Sequence, residues 1–278
     1  LSDEIEKLNI NNLLFLSNIS KIKWKTLNGN GVIHKRINNH DRRFVSISSN
    51  DTVNNYLVFE DIVPINGKNL KIKIAFLLDE NKSKIIACER SPLFVFFPTE
   101  IETNLNFLVH APFYTSPSRE NIEEGDNFVN IEPDDRNEEL KKGLANLLSN
   151  SLLDLKKLKL LNVELLELLP INSNLCRNSI YNVLFTAIKN ELCSNKKLLP
   201  NSRGGFSSSS DSMLLGSSEL VSLITSKQAK QLFGRSTWLS RKITKDKTNL
   251  LRDYLYYDID IPEYDLNKFA KAIDHKFL

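Results

Sequence analysis

Apolar and polar residues alternate along much of the first hundred residues. Residues 22–26 and 69–75 show this period of two most clearly, and it is typical of antiparallel strands with one solvated face. The sequence Asn66-Gly67-Lys68 predicts a tight turn between two strands. We predict strands at 19–27, 32–37, 43–48, 56–60, 70–78, 84–88, 93–97 and 105–110.

The period becomes helical after residue 118. Leu140, Leu144 and Leu148 lie on one stripe of a predicted helix over 135–155. Similar patterns predict helices at 2–16, 158–169, 172–194, 226–233, 247–256 and 263–277. Residues 198–218 are rich in Ser, Gly and Asn, which favours a loop.

Together these patterns predict an α+β protein. A β-rich module, with a mixed or antiparallel sheet packed on helices, is followed by a helical module. We place the β-rich domain at 1–125 and a helical segment packed on it at 126–197. A loop or linker follows at 198–217, and a small helical C-terminal region at 218–278.

Composition narrows the class of protein. The chain has 278 residues, of which 41% are hydrophobic and 26% charged, so a disordered chain is not expected. The net charge of +3 is too small to indicate a nucleic-acid-binding protein. Because the chain starts at Leu1, has Met213 as its one methionine and shows no leader, we expect a piece of a longer protein.

The three cysteines, Cys88, Cys176 and Cys193, are scattered without CxxC spacing. This argues against a disulfide framework or a zinc site and predicts buried thiols in a reducing, cytoplasmic compartment. No stretch of about 18 apolar residues is present, so no membrane partner is expected.

The sequence lacks the motifs of an autonomous enzyme. Its nine glycines form no GxGxxG, GxxxxGK[ST] or DxGxG motif, and no GxSxG elbow occurs. The four histidines have no metal-ligand spacing. For this chain alone we therefore expect no catalytic set, no metal site and no cofactor.

The stretch 93–121 carries the most specific pattern. A strand ends at Pro98-Thr99, a polar turn contains Glu100 and Glu102, and a second strand leads into Ser118-Arg119-Glu120. We predict that Ser118 caps a helix, which places Arg119 where a cation opposes the helix dipole. Such an Arg can meet an anion. The alternative is a surface ion pair with Glu120, Glu123 or Asp126.

These residues resemble the middle, or transducer, domain of GHKL ATPases, the group of gyrase, the ninety-kilodalton heat-shock chaperone, histidine kinases and MutL. The stretch is most similar to sacsin-like proteins and their large prokaryotic relatives. The matching residues are Phe97-Pro98-Thr99, Glu102-Thr103, Phe107, Ala111-Pro112-Phe113 and Ser118-Arg119. Asn127, the 140–155 helix, Leu168-Leu169-Pro170 and Leu198-Leu199-Pro200 also fit. Pro117 departs from the chaperone pattern.

The resemblance implies a partner and a role. In this family a separate N-terminal domain of the same chain binds ATP and Mg²⁺, and the transducer sends a basic side chain to the γ-phosphate. By its match to the S-R-E segment that side chain is Arg119. The resemblance thus implies Arg119 as the catalytic residue, and Arg119 and Ser118 as the residues that contact ATP. The parent protein is then a chaperone-like or defence ATPase with a client protein.

A second hypothesis is a non-catalytic module that binds protein or nucleic acid. Arg235, Arg241, Lys242 and Lys245 lie near Trp238, and basic residues beside an aromatic ring can hold a nucleic acid. This hypothesis predicts that the four cations form one contiguous basic patch. The alternative is a solvated surface with one half-buried tryptophan, Trp238.

Overall fold

The computed structural model describes residues 10–27, 29–49, 52–122 and 136–277. Within these ranges the strands are β1 Lys21–Lys25, β2 Asn30–Ile37, β3 Phe44–Ser49, β4 Thr52–Ile65, β5 Lys68–Leu78, β6 Ile85–Ile86, β7 Pro92–Val95, β8 Phe97–Glu102, β9 Leu108–His110, β10 Leu199–Pro200, β11 Phe206–Ser207, β12 Ser212–Leu215, β13 Thr237–Trp238 and β14 Glu263–Tyr264.

The α-helices of the described residues are α1 Arg136–Lys157, α2 Val163–Leu168, α3 Ser179–Cys193, α4 Leu220–Leu223, α5 Ser226–Phe233, α6 Asn249–Asp253 and α7 Leu266–Phe277. Tyr254–Asp258 continues α6 as a π-helix. Of the predicted N-terminal helix over 2–16, residues 2–9 lie outside the described residues, and Ile10–Leu13 form a 3-10 turn.

The β-rich half is a nine-stranded sheet, which confirms the predicted α+β class. Its order is β1-β2-β3-β4-β5-β9-β7-β8, and β6 also pairs with β5. Strands β1 to β5 form an antiparallel meander, whereas β7 and β9 run parallel. The prediction of a polar turn around Glu100 and Glu102 is wrong, because Phe97–Glu102 is the edge strand β8.

The β4–β5 hairpin has the tight turn that the sequence predicts. Asn66 and Gly67 have φ values of 49° and 74°, and Ile65 pairs with Lys68. Two consecutive left-handed residues give the twist that suits a two-residue hairpin, and Asn and Gly adopt this conformation at least cost.

The chain divides into two compact units. Unit 1 contains Leu1–Leu148 and Asn178–Val183, and unit 2 contains Ser149–Arg177 and Leu184–Leu278. In unit 1 one sheet face carries Ile33, Ile47 and Tyr56, which form a buried cluster with Leu13 and Phe15. Burial of these large apolar side chains is the main stabilising contribution to this face.

The opposite face of the unit 1 sheet carries a second set of buried side chains, namely Leu57, Phe59, Ile72, Ile74 and Phe76. Helix α1 packs here through Gly143, because a Cβ at this position would lie 2.5 Å from Val63 Cγ2 and 3.0 Å from Ile72 Cδ1. The glycine thus allows the helix to approach the sheet closely.

Unit 2 contains a small parallel sheet in the order β13-β12-β14. Its core includes Met213, Leu220 and Trp238. Helix α5 begins with a capping box between Thr225 and Gln228 and ends at Gly234, whose φ is 73°. The stretch 198–217, predicted as a loop or linker, contains β10, β11 and β12.

Candidate functional site

Arg119 lies in a closed turn that follows the last strands of the unit 1 sheet. Thr115 and Ile122 form an antiparallel bridge, and the Ser116 N–H donates to the Asn121 carbonyl at 2.9 Å. The Arg119 N–H donates to the Ser116 carbonyl at 2.8 Å, and Arg119 has a φ of 61°. A left-handed arginine is uncommon, so the surrounding hydrogen bonds fix its conformation.

The prediction that Ser118 caps a helix is wrong. Residues 117–121 form turns and bends, and the Ser118 hydroxyl donates to Glu120 Oε2 at 3.1 Å. The helical pattern begins later, at Arg136 in the described residues. Pro117 fixes its own φ, and the chain turns back on itself at this point instead of continuing into a helix. Arg119 therefore does not face a helix dipole.

The Arg119 guanidinium is held by main-chain oxygens. Its Nη2 donates to the carbonyls of Val95 and Phe97, at 3.1 and 3.0 Å. The Glu100 N–H also donates to the Arg119 carbonyl at 3.2 Å. These bonds join the turn to the end of β7 and to β8, and they set the direction of the guanidinium.

The charge of Arg119 has no carboxylate partner among the described residues. Glu120 accepts from Ser118, while Glu123 and Asp126 lie outside the described residues. The buried Nε atom has no hydrogen-bond partner in the described structure. Carbonyl oxygens carry only partial charges, so the positive charge remains available to an anion.

A one-residue turn at Phe96 supports this arrangement. Phe96 connects β7 to β8 with a φ of 63°, and its ring lies 5.2 Å from the His110 ring. Phe96 and the neighbouring Phe97 are 51% and 45% exposed. Two exposed phenylalanines therefore belong to the same short segment as the Val95 and Phe97 carbonyls that hold Arg119. Sequence reasoning missed them because an apolar strand predicts burial.

His110 is a buried part of the same region. Its ring stacks on Phe15 at 5.3 Å, and its Nδ1 lies 3.0 Å from Phe94 O and 3.3 Å from Phe96 N. One nitrogen cannot donate to the first and accept from the second, and the shorter contact favours Nδ1–H donating to Phe94 O. Burial lowers the pKa of His110 to about 4, so the neutral ring serves packing.

The start of α1 is fastened to the segment before the turn. Tyr114 N–H donates to Asn137 Oδ1 at 2.9 Å, and Asn137 Nδ2 donates back to Tyr114 O at 3.0 Å. The Arg136 guanidinium lies 4.0 Å from the centre of the Tyr114 ring and donates to Pro112 O. These contacts, which the sequence did not indicate, fix residues 112–114.

Three of the four basic residues near Trp238 have partners within unit 2, and the fourth, Arg241, is exposed. Arg235 donates to the Ser209 and Ser212 carbonyls, Lys242 pairs with Glu164 at 2.6 Å, and Lys245 pairs with Glu263 at 3.1 Å. Trp238 is buried rather than half-buried. Neighbouring carboxylates neutralise part of this cluster, which does not favour binding of a nucleic-acid backbone.

The other candidate features are metal sites, reactive thiols and membrane-spanning helices in the part of the chain that the structure describes. No three His, Cys, Asp or Glu side chains come together as metal ligands there. Cys193 is exposed and Cys88 and Cys176 are half-buried, so the prediction of three buried thiols is wrong. No helix of the described ranges is both long and apolar enough to cross a bilayer.

Comparison with known protein families, with curated proteins and with solved structures gives no match for this chain.

Proposed function

We propose that this chain is the transducer part of a larger GHKL-type ATPase, chaperone-like or defensive. An ATP-binding domain upstream in the same polypeptide holds the nucleotide, and Arg119 reaches its γ-phosphate when the two parts dock. The observation that carries the proposal is the guanidinium of Arg119, aimed by two carbonyls and not neutralised by any described carboxylate.

The held guanidinium suits phosphate chemistry. Both hydrogen bonds use Nη2, which leaves the Nη1 edge of the planar fork for a ligand. A positive charge that is fixed before the reaction stabilises the negative charge that develops on the transferring phosphoryl group. Because the turn already sets its direction, little conformational freedom is lost on binding.

The exposed phenylalanines suit a docking face. Phe96 and Phe97 belong to the segment whose carbonyls hold Arg119, so a domain that docks on this segment would approach the guanidinium. Contact with the γ-phosphate is then made only in the docked state, and nucleotide state is coupled to docking. The described residues offer no ligand set for Mg²⁺, so the proposal assigns metal binding to the upstream domain.

The test is ATP turnover by the polypeptide that includes the upstream domain. Arg119→Ala is expected to lower kcat by about 10³-fold, as loss of an arginine finger does, while nucleotide affinity changes little. Arg119→Lys is expected to recover only part of the rate, because an ammonium group lacks the planar fork.

The matched control is Arg90→Ala, which removes an exposed arginine from the same unit. It is expected to leave kcat unchanged. Equal turnover in the Arg119→Ala variant and the unmodified protein would refute the role of Arg119, and an upstream sequence without an E-x-x-x-N helix and a DxGxG turn would refute the family assignment.

A further inference from the structure

A second cationic site lies in a pocket of the β1–β5 meander. The pocket has a volume of about 500 Å³. It is lined by strands β2, β3, β4 and β5, by Arg42 and Arg43 before β3, and by Leu14 and Ser17. All of its residues belong to unit 1. It continues the sheet face that holds the buried cluster of Ile33, Val45 and Ile47.

The lining of this pocket is strongly positive. Among the described residues, its cationic side chains are Lys35, Arg42, Arg43, Lys71 and Lys73, and its one carboxylate is Glu60. Glu60 lies 3.1 Å from Lys73 and 4.0 Å from Lys71, so one carboxylate serves two lysines. Asp41 holds Arg43 through a bidentate pair whose shortest distance is 2.8 Å.

Lys35 is the most unusual of these cations. It is 7% exposed, and its Nζ donates to the Leu16 carbonyl, a single neutral acceptor. Within the described ranges no carboxylate pairs with it. Burial lowers the pKa of Lys35, and the charge of Lys73 lowers it further. A buried ammonium group without a counter-ion is costly, so its retention calls for a reason other than folding stability.

We propose that this pocket binds the phosphate groups of a small phosphorylated molecule of about nucleotide size. The anion would lie between Lys35, Lys73 and Arg42 and supply the negative charge that the lining lacks. Pockets of this volume accommodate ligands of that size. The apolar side chains of Leu14, Val45 and Val58 in the same lining offer a surface for the organic part of the ligand.

The shape of the site favours a small anion over a nucleic-acid backbone. Lys73 is 12% exposed on its side chain and Lys35 is buried, so both ammonium groups lie within the pocket and not on an open surface. A nucleic-acid backbone follows exposed cations along a surface. A compact phosphate can enter a pocket and accept several charge-assisted hydrogen bonds at once.

The test is calorimetric binding of inorganic pyrophosphate and of ADP to the 278-residue chain, at about 0.15 M salt to screen surface charges. The chain is expected to bind pyrophosphate saturably, and Lys35→Met and Lys73→Gln are each expected to weaken binding at least about tenfold. If ADP binds more tightly than pyrophosphate, the apolar lining contacts the organic part of the ligand. If the two bind equally tightly, the pocket recognises the phosphate groups alone.

Lys68→Gln is the matched control. It removes one positive charge from the same strand, β5, at an exposed position outside the pocket lining. It is expected to weaken binding less than about threefold, since exposed charges are screened. Lys35→Met is also expected to melt no lower than the unmodified chain, because it removes an uncompensated buried charge.

Two results would overturn the proposal: no saturable binding of either probe to the unmodified chain, or unchanged binding by Lys73→Gln in a folded protein. The lysine variants leave Arg119 untouched, and the measurement needs no upstream domain. Failure here therefore differs from failure of the proposed ATPase role.

Discussion

Arg119 and Lys35 are both cations without a carboxylate partner among the described residues, but they are held differently. Arg119 is half-exposed and fixed by two carbonyls, whereas Lys35 is buried on the face of the sheet with one carbonyl acceptor. In the described structure, each of these two side chains therefore carries a positive charge that no carboxylate neutralises. Such departures from ordinary local preferences are most often found at functional sites.

His110 makes the stability of unit 1 depend on pH. Its pKa is lowered in the folded protein from 6.5 to about 4, first by burial and then by the charge of Lys73, although the Phe94 carbonyl opposes both. The unfolded state therefore takes up a proton before the folded state does. Stability is fully present above pH 6.5 and falls as the pH is lowered toward 4, by about 3 kcal/mol for this group.

Chemical denaturation of the chain and of His110→Phe at a series of pH values checks this effect. Phenylalanine keeps the aromatic contact with Phe15 but does not titrate. The free energy of unfolding of the variant is expected to depend less steeply on pH between 6.5 and 4. Parallel curves for the two proteins would show that His110 does not contribute.

The identity of Arg119 could be chosen from the sequence, but its conformation could not. The order of strand, strand and Ser118-Arg119-Glu120 singles out this residue. Its φ is left-handed, and its guanidinium bonds to Val95 and Phe97 on either side of a one-residue turn at Phe96, more than 20 residues away. Local propensity contains no information about such a contact, and so it predicted a capped helix instead.

Among the helices and strands, the pattern of apolar residues predicted the helix over 226–233 and the β4–β5 hairpin, but it missed the edge strand β8. The helix over 226–233 and the β4–β5 hairpin follow from capping and turn residues that act locally. Strand β8 was missed because Pro98 and its polar residues break the strand pattern. Proline is tolerated there because β8 is an edge strand, where a missing N–H breaks no ladder.

Helix α1 depends on a glycine for its distance from the sheet. Gly143→Ala would gain about 1 kcal/mol of helix propensity. The new Cβ would lie 2.5 Å from Val63 Cγ2, however, and a β-branched side chain in a strand has little room to move. We expect a net loss of about 1–3 kcal/mol in the free energy of unfolding, as overpacking usually causes.

Thermal or chemical unfolding measures this loss, with Ala145→Gly as a reference for helix propensity in the same helix. If Gly143→Ala stabilised the chain, the close packing of α1 on Val63 and Ile72 would be wrong.

At the scale of the whole molecule, the succession of strands and then helices follows from the pattern of the sequence, and the α+β class is confirmed. The division into two compact units falls within α1 and α3, each of which contributes residues to both units. Which turn of a helix belongs to which unit depends on contacts between residues far apart in sequence. Composition and periodicity carry no information about such contacts.

The proposed function also involves more than one domain, because the role of Arg119 needs a second domain that holds ATP. The described residues provide a fixed cation and two exposed phenylalanines. We therefore propose that unit 1 reads nucleotide state and that docking completes its chemistry.

Nucleotide-dependent docking of unit 1 can be tested most directly by amide hydrogen exchange at residues 95–97 and 116–121. The measurement uses the polypeptide that includes the upstream domain. With a non-hydrolysable ATP analogue these amides are expected to exchange more slowly than with ADP, because the γ-phosphate favours the docked state. Arg119→Ala is expected to abolish the difference. Identical exchange with the two nucleotides in the unmodified protein would contradict the account.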